Sequence, residues 1–335
     1  MTTNKDHIEL TAGEISSLWT SYQSDTSAIC GIKHFLIHVE DEQIRDILQE
    51  TLTLMEEHIQ AITDFFKKEG HPVPQGFTSQ DVDLSAPRLF SDKLYLEYIL
   101  NMTNIELVIY SNALIAAVRK DVIDYYSEVL TATKDLHMKS KKLSIEKGIY
   151  IREPHIPKPT QIDFIKKQSF LAGWFADRRP LLGAEITNLV FHARRNALGH
   201  AVMTGFSQVA KTKEVRRYFE RGLNISGKHL EIFGTILSEE NLANGTQLMT
   251  SDVTNSTTSP FSEKLMMTFT ITLIASAIGQ YGVAAAVSPR RDLGAHYSRL
   301  ILEVTNYADD GANILIDHGW MEQPPMAPDR NDLAK

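Results

Sequence analysis

Phe90-Ser91-Asp92-Lys93-Leu94 and Phe261-Ser262-Glu263-Lys264-Leu265 are almost the same string, and they stand 171 positions apart. The same offset matches the chain to itself without gaps far beyond these strings. Glu14-Ile15 falls on Glu185-Ile186, Arg45 on Arg216, Leu52 on Leu223 and His58 on His229. Asp81-Val82 falls on Asp252-Val253, Arg119 on Arg290, Asp121 on Asp292, Tyr126-Ser127 on Tyr297-Ser298, and Gly148 on Gly319. One register over a whole copy marks a tandem duplication, so the fold is to be read once and applied twice.

Within a copy the apolar residues recur at helical spacing. Helix A is expected from about Ala12 to His38, with Ile15, Leu18, Tyr22, Ile29 and Leu36 on one face. Thr11 and Glu14 stand at capping-box spacing before it. Helix B follows from about Glu42 to Glu69 and ends at Gly70, a residue suited to the left-handed C′ position. Ser91 is placed to cap helix C, and helix D runs from about Asp121 to Gly148. In the second copy Ser288-Pro289 suggests an N-cap followed by Pro at the first helical position of helix D. Between B and C lie about twenty residues, His71 to Phe90, whereas adjacent antiparallel helices are usually joined by about 2–8. Short A–B, long B–C and short C–D connections predict an all-α chain of two tandem ferritin-like four-helix bundles, each with a long B–C crossover. The expected division is 1–148 for the first bundle, 149–182 for a linker, 183–325 for the second bundle and 326–335 for a polar tail.

Composition narrows the function classes. Charged residues make up 23% and the formal net charge is −8, which argues against a general nucleic-acid surface and against docking on an anionic membrane. The single cysteine, Cys30, allows no internal disulfide and points to a reducing compartment, here the cytoplasm. Leu265 to Val287 is long and apolar enough to span a bilayer. Its counterpart, Leu94 to Ala116, carries Glu97, Asn101, Asn104 and Glu106, so a buried bundle helix is expected in both copies. The Asn-x-Ser/Thr triplets at Asn101, Asn224 and Asn244 carry no meaning without secretion. No phosphate loop, dinucleotide fingerprint, Cys-x-x-Cys pair or nucleophile elbow is present.

The linker combines Pro154, Pro157 and Pro159 with Phe164, Phe170, Trp174 and Phe175. A short helix from Gln161 to Phe175 is expected, its aromatics gluing the bundles together or presenting a partner surface. The linker string from Gln168 to Pro180 is distinctive. So are Gly205 to Lys211, Phe261 to Met267, and Asp310 to Asn313. With them the chain resembles the domain of unknown function 3231 of spore-forming bacteria, which is similar to spore coat protein F. That resemblance implies a duplicated ferritin-like fold, association with the spore, and other spore or coat proteins as partners. It implies no catalytic residues.

A di-iron centre in such a fold needs a Glu from each of two helices and a Glu-x-x-His from each of the other two. His58 is preceded at that spacing by Met55, and His229 by Ser226. His200, His229 and His296 fall on inward rows but differ in depth: His200 lies about 15 Å and His229 about 27 Å from the A–B turn, with His296 toward the far end. No metal or other cofactor is therefore expected; His58 and His229 are the candidates should iron or manganese bind. Gly279, Gly282 and neighbouring alanines on the second helix C leave room for close packing or for an apolar ligand. The retained polar residues suggest a structural clamp, Glu14 with Arg119 and Glu185 with Arg290. The sequence thus favours a non-enzymatic structural or interaction protein, able to form homo-oligomers. A metal-binding oxidase or storage protein is the alternative.

Overall fold

The structure, a computed structural model, describes residues 8–174, 178–243 and 249–330. Phe175, Asn244 and the end of the polar tail, 331–335, lie outside the described residues. Eight α-helices are found among those described: α1 (Ala12–His38), α2 (Glu42–Lys68), α3 (Asp92–Ala116), α4 (Lys120–Glu146), α5 (Gly183–Val209), α6 (Lys213–Glu239), α7 (Glu263–Ala286) and α8 (Arg291–Asp317).

Local chemistry sets their ends. Thr11 and Glu14 form the reciprocal capping box at α1, and the Asp41 carboxylate accepts from Gln43 and Ile44 at the start of α2. Ser91 and Ser262 cap α3 and α7 through the backbone N–H of Leu94 and Leu265. Gly70 takes φ +68° after α2, a left-handed conformation that costs a glycine nothing. Ser288-Pro289 departs from expectation. The N-cap of α8 is Arg290, so the proline stands two residues before the first helical position and shapes the turn rather than the helix.

Contacts at the two ends of each bundle fix the topology. At one end the Asp41 N–H, before α2, donates to the Asp92 carboxylate at the start of α3 over 2.7 Å. Lys147, after α4, donates to Asp41 over 2.6 Å. At the other end Arg119, before α4, pairs with Glu69, after α2, at 2.7 Å. Helices α2 and α3 therefore run parallel, and the 69–91 connection must travel the length of the bundle. The second copy repeats both ends, with Thr212 on Glu263 (2.8 Å) and Arg290 on Glu240 (2.6 Å). This is the one-crossover four-helix bundle, built twice.

The two crossover connections also join the bundles, and they do so reciprocally. Val82 bridges Phe261 and Phe90 bridges Val253, both antiparallel, so each residue pairs with the copy of the other's equivalent. Ser91 donates its hydroxyl to Asp252 (2.8 Å) and Ser262 donates to Asp81 (2.7 Å). The aromatic contacts are crossed in the same way: Phe90 lies 6.3 Å from Phe206 and Phe261 lies 6.5 Å from Phe35, centroid to centroid. A single hydrophobic core runs through this junction, while each bundle keeps a separate core at its far end. Gly205 belongs to the junction, since a Cβ there would come within 2.6 Å of the Phe90 ring. The arrangement is the self-complementary interface of a two-fold dimer, made inside one chain.

Two expectations are corrected here. The linker forms no helix over 161–174 beyond a 3-10 turn at Gln168–Leu171, and Phe164 and Trp174 are not the glue. Phe164 is 81% and Trp174 54% exposed, and the proline run leaves the chain extended. Helices α3 and α7 are both long and apolar enough to cross a membrane, yet α7 is not the fully buried helix expected. Only 22% of its most apolar window is buried, because one side of it faces a gap between the bundles.

Candidate functional site

The retained Glu and Arg residues do meet at the far end of each bundle, but through the backbone. Glu14 is buried at the start of α1, and one carboxylate oxygen accepts from the N–H of Val118 (3.0 Å) and Arg119 (2.8 Å). Burial opposes ionisation there, yet this set of backbone donors, with Thr11, holds its carboxyl below the usual range. The Arg119 guanidinium turns away to Glu69 and Asp121. Glu185 likewise accepts from the Arg290 N–H (3.3 Å), while its own ion pair is with Arg179 at 2.8 Å. Arg290, fully buried, is clasped by Asp292 (2.9 Å) and Glu240 (2.6 Å). The Glu14–Arg119 and Glu185–Arg290 ion pairs are thus corrected to carboxylate-to-backbone contacts. In an extended N-cap segment the arginine N–H points at the carboxylate, and the long side chain reaches the neighbouring acids.

Midway along each bundle lies a second polar cluster. In the first copy Asp25 of α1 is fully buried, with Oδ2 3.5 Å from His58 Nδ1 of α2. The Tyr110 hydroxyl of α3 is 3.4 Å from Asp25 Oδ1, and Tyr126 of α4 meets Ser21 at 3.4 Å. These distances are long for hydrogen bonds. Glu106 of α3 is buried close by. Burial drives the Glu106 carboxyl well above its ordinary range, the charge of Asp25 adding to the effect, and burial raises Asp25 too. In the second copy the corresponding residues are Asn196, His229, Tyr281, Tyr297 and Ala277. Asn196 donates to the Tyr281 hydroxyl over 2.8 Å, and His229 is held between Tyr281 (3.1 Å) and Glu303 of α8 (3.0 Å). In the second cluster Asn196, Tyr281, His229 and Glu303 are joined by short bonds; the first is a loose set of two acids and an imidazole.

A carboxylate-bridged metal pair is not what the sequence predicts; the alternative it leaves is iron or manganese on a non-standard ligand set with His58 or His229. Among the described residues no three His, Cys, Asp or Glu side chains come together as a ligand set. The second copy replaces both acids of the first. His200 lies against Gly227, and His296 contacts Arg299 at 3.4 Å, so neither joins His229. Asp25, Asn196 and Glu303 escaped the sequence reading, which looked for identical residues at the repeat offset. Tyr110 and Tyr281 are identical at that offset and could have led to them.

A duplicated one-crossover bundle with a reciprocal junction defines the class. The sequence profile of the family described as "protein of unknown function (DUF3231)" matches residues 1–162 and again 169–333, and the chain belongs to that family. Among solved structures, the chain is similar to a candidate spore coat protein from Bacillus halodurans C-125. The identity is 23%, the TM-score 0.41, and the match covers 45% of this chain and 98% of the other. No curated protein matches the chain at a significant level.

Proposed function

We propose that this chain is a non-enzymatic structural or interaction protein of ferritin-like fold that assembles with other proteins of the forming spore. The observation that carries the reading is the linker. Ile162, Phe164, Ile165 and Trp174 stand at 88%, 81%, 67% and 54% exposure in an extended segment. Monomeric proteins seldom leave large apolar side chains clustered in solvent, and such clusters mark protein contacts. The polar cluster of the second bundle serves the fold: Asn196, Tyr281 and His229 are bonded to one another or to Glu303. Partners would be coat or other spore proteins, and the place the mother-cell cytoplasm or the spore surface.

The test is to follow the tagged full chain through sporulation of a spore-forming host. The wild-type chain should remain with purified spores after detergent washing, and a Phe164→Ser, Ile165→Ser variant should wash off. A wild-type chain that washes off purified spores as readily as the variant would defeat the reading. The metal alternative would rest on His58 or His229 with a non-standard ligand set. Stoichiometric iron or manganese in chelator-free preparations, lost on His58→Ala, would establish it in place of the first.

A further inference from the structure

The reciprocal junction creates two equivalent crossings, and they are not filled alike. Where α3 meets α5, Arg195 donates to Asn101 over 3.1 Å and Arg194 pairs with Glu97 at 3.5 Å. The Arg194 guanidinium also lies 3.9 Å from the centroid of the Tyr150 ring, which follows α4. At the equivalent crossing of α1 with α7, those side chains are replaced by Ser24 for Arg195, Gln23 for Arg194, Thr272 for Asn101 and Thr268 for Glu97. With short side chains on both sides the crossing does not close. It leaves a cavity of about 900 Å³, lined chiefly by apolar side chains such as Trp19, Ile109, Phe191, Ile271 and Val283. Gly279 sits in its wall, and a Cβ there would meet nothing within 4 Å.

The size and shape suit one kind of occupant. Small-molecule sites commonly enclose roughly 300–1,000 Å³. The cavity follows α7 from Lys264 to Val283, about 28 Å at 1.5 Å per residue, so it is long and narrow. Charge marks one end. Lys264 donates to the Gly76 carbonyl and lies 4.6 Å from the centroid of the Phe77 ring, with no carboxylate at ion-pair distance among the described residues. Glu322, the acid in the lining, is already taken by the N–H groups of Gln75 and Gly76 and by Gln23. We propose that the α1–α7 crossing binds one long-chain fatty acid, its alkyl chain along α7 and its carboxylate at Lys264.

The experiment is calorimetric titration of the full chain with monomeric oleate and, separately, with oleyl alcohol. The wild type should bind one oleate per chain. Gly279→Phe should weaken it at least about tenfold by occupying the cavity. Lys264→Gln should cost oleate about tenfold and leave oleyl alcohol within about twofold, since only the acid uses the ammonium. If Gly279→Phe fails to fold by circular dichroism, Ala275→Leu takes its place. The proposal fails if the wild type binds no oleate, or if oleate binds equally to the filled variant. It also fails if the chain binds phosphatidylcholine vesicles but not monomeric oleate, which would make α7 a membrane surface. Equally, a dimer that Val283→Asp dissociates, without oleate binding, would make the crossing a contact with a second copy.

Discussion

The first bundle buries two acids, Asp25 and Glu106, where the second has a half-buried amide, Asn196, and a half-buried methyl group, Ala277. The second in turn buries His192 where the first has Ser21. Backbones that correspond helix for helix therefore carry opposite liabilities. A raised carboxyl pKa means that the folded first bundle holds its protons more tightly than the unfolded chain. Its contribution is fullest below the unfolded carboxyl pKa and is lost as pH rises through the raised folded value. His192 runs the other way. Burial pushes its pKa down to about 3, with the charge of Arg195 adding to the effect. The neutral folded form is then favoured above the unfolded histidine pKa, and stability is lost as pH falls from there toward the folded value. The lesson is that the fold fixes the place of a polar centre and leaves its chemistry free.

The comparison can be broken most forcefully at the clamps. Arg290→Ala leaves Asp292 and Glu240 without their buried partner and should cost about 3–5 kcal/mol in urea denaturation. Arg119→Ala should cost less, about 2 kcal/mol, because Asp121 is 39% exposed and keeps Lys68, so Glu69 is the one buried acid that loses the guanidinium. Equal losses would show that the two clamps are energetically the same. Next comes acid sensitivity. His192→Phe keeps a ring among Phe233, Tyr281 and Tyr297 and removes the titration, so it should recover up to about 3 kcal/mol at pH 4 and much less at pH 7.

Asp25→Asn, which copies the second bundle into the first, should stabilise the chain at pH 8 by about 1 kcal/mol and change little at pH 4. A loss at pH 8 would mean that the charged form of Asp25 is satisfied by His58. The smallest effects are expected at the junction. Ser91→Ala and Ser262→Ala should each cost about 1 kcal/mol, and by similar amounts, because each serine caps a helix and bonds to the opposite copy.

The helices were legible because their ends are written in short-range chemistry. Thr11, Ser91 and Gly70 each act on the backbone next to them, and the repeat offset checks the Ser91 boundary a second time in Ser262. The crossover was legible from its length alone. What the repeat could not say was which copy a residue touches. Asp81 matching Asp252 and Phe90 matching Phe261 look the same whether each pairs within its own bundle or across. The polar centres were half legible, since His58 and His229 match whereas Asp25 and Asn196 differ by the one group that matters. The linker misled because aromatic content was taken as a sign of packing, although no helical periodicity accompanied it.

The reciprocal junction has a consequence for what such a chain can become. In an assembly of two identical subunits around a dyad, every side chain occurs at both crossings, and a change that opens one opens the other. Covalent linkage removes that constraint. Position 24 can stay serine while position 195 is arginine, so one crossing is left as a hollow and the other locked shut. The duplication gives the molecule the strength of a symmetric contact together with an opening at one crossing, so the proposed fatty acid would bind once rather than twice.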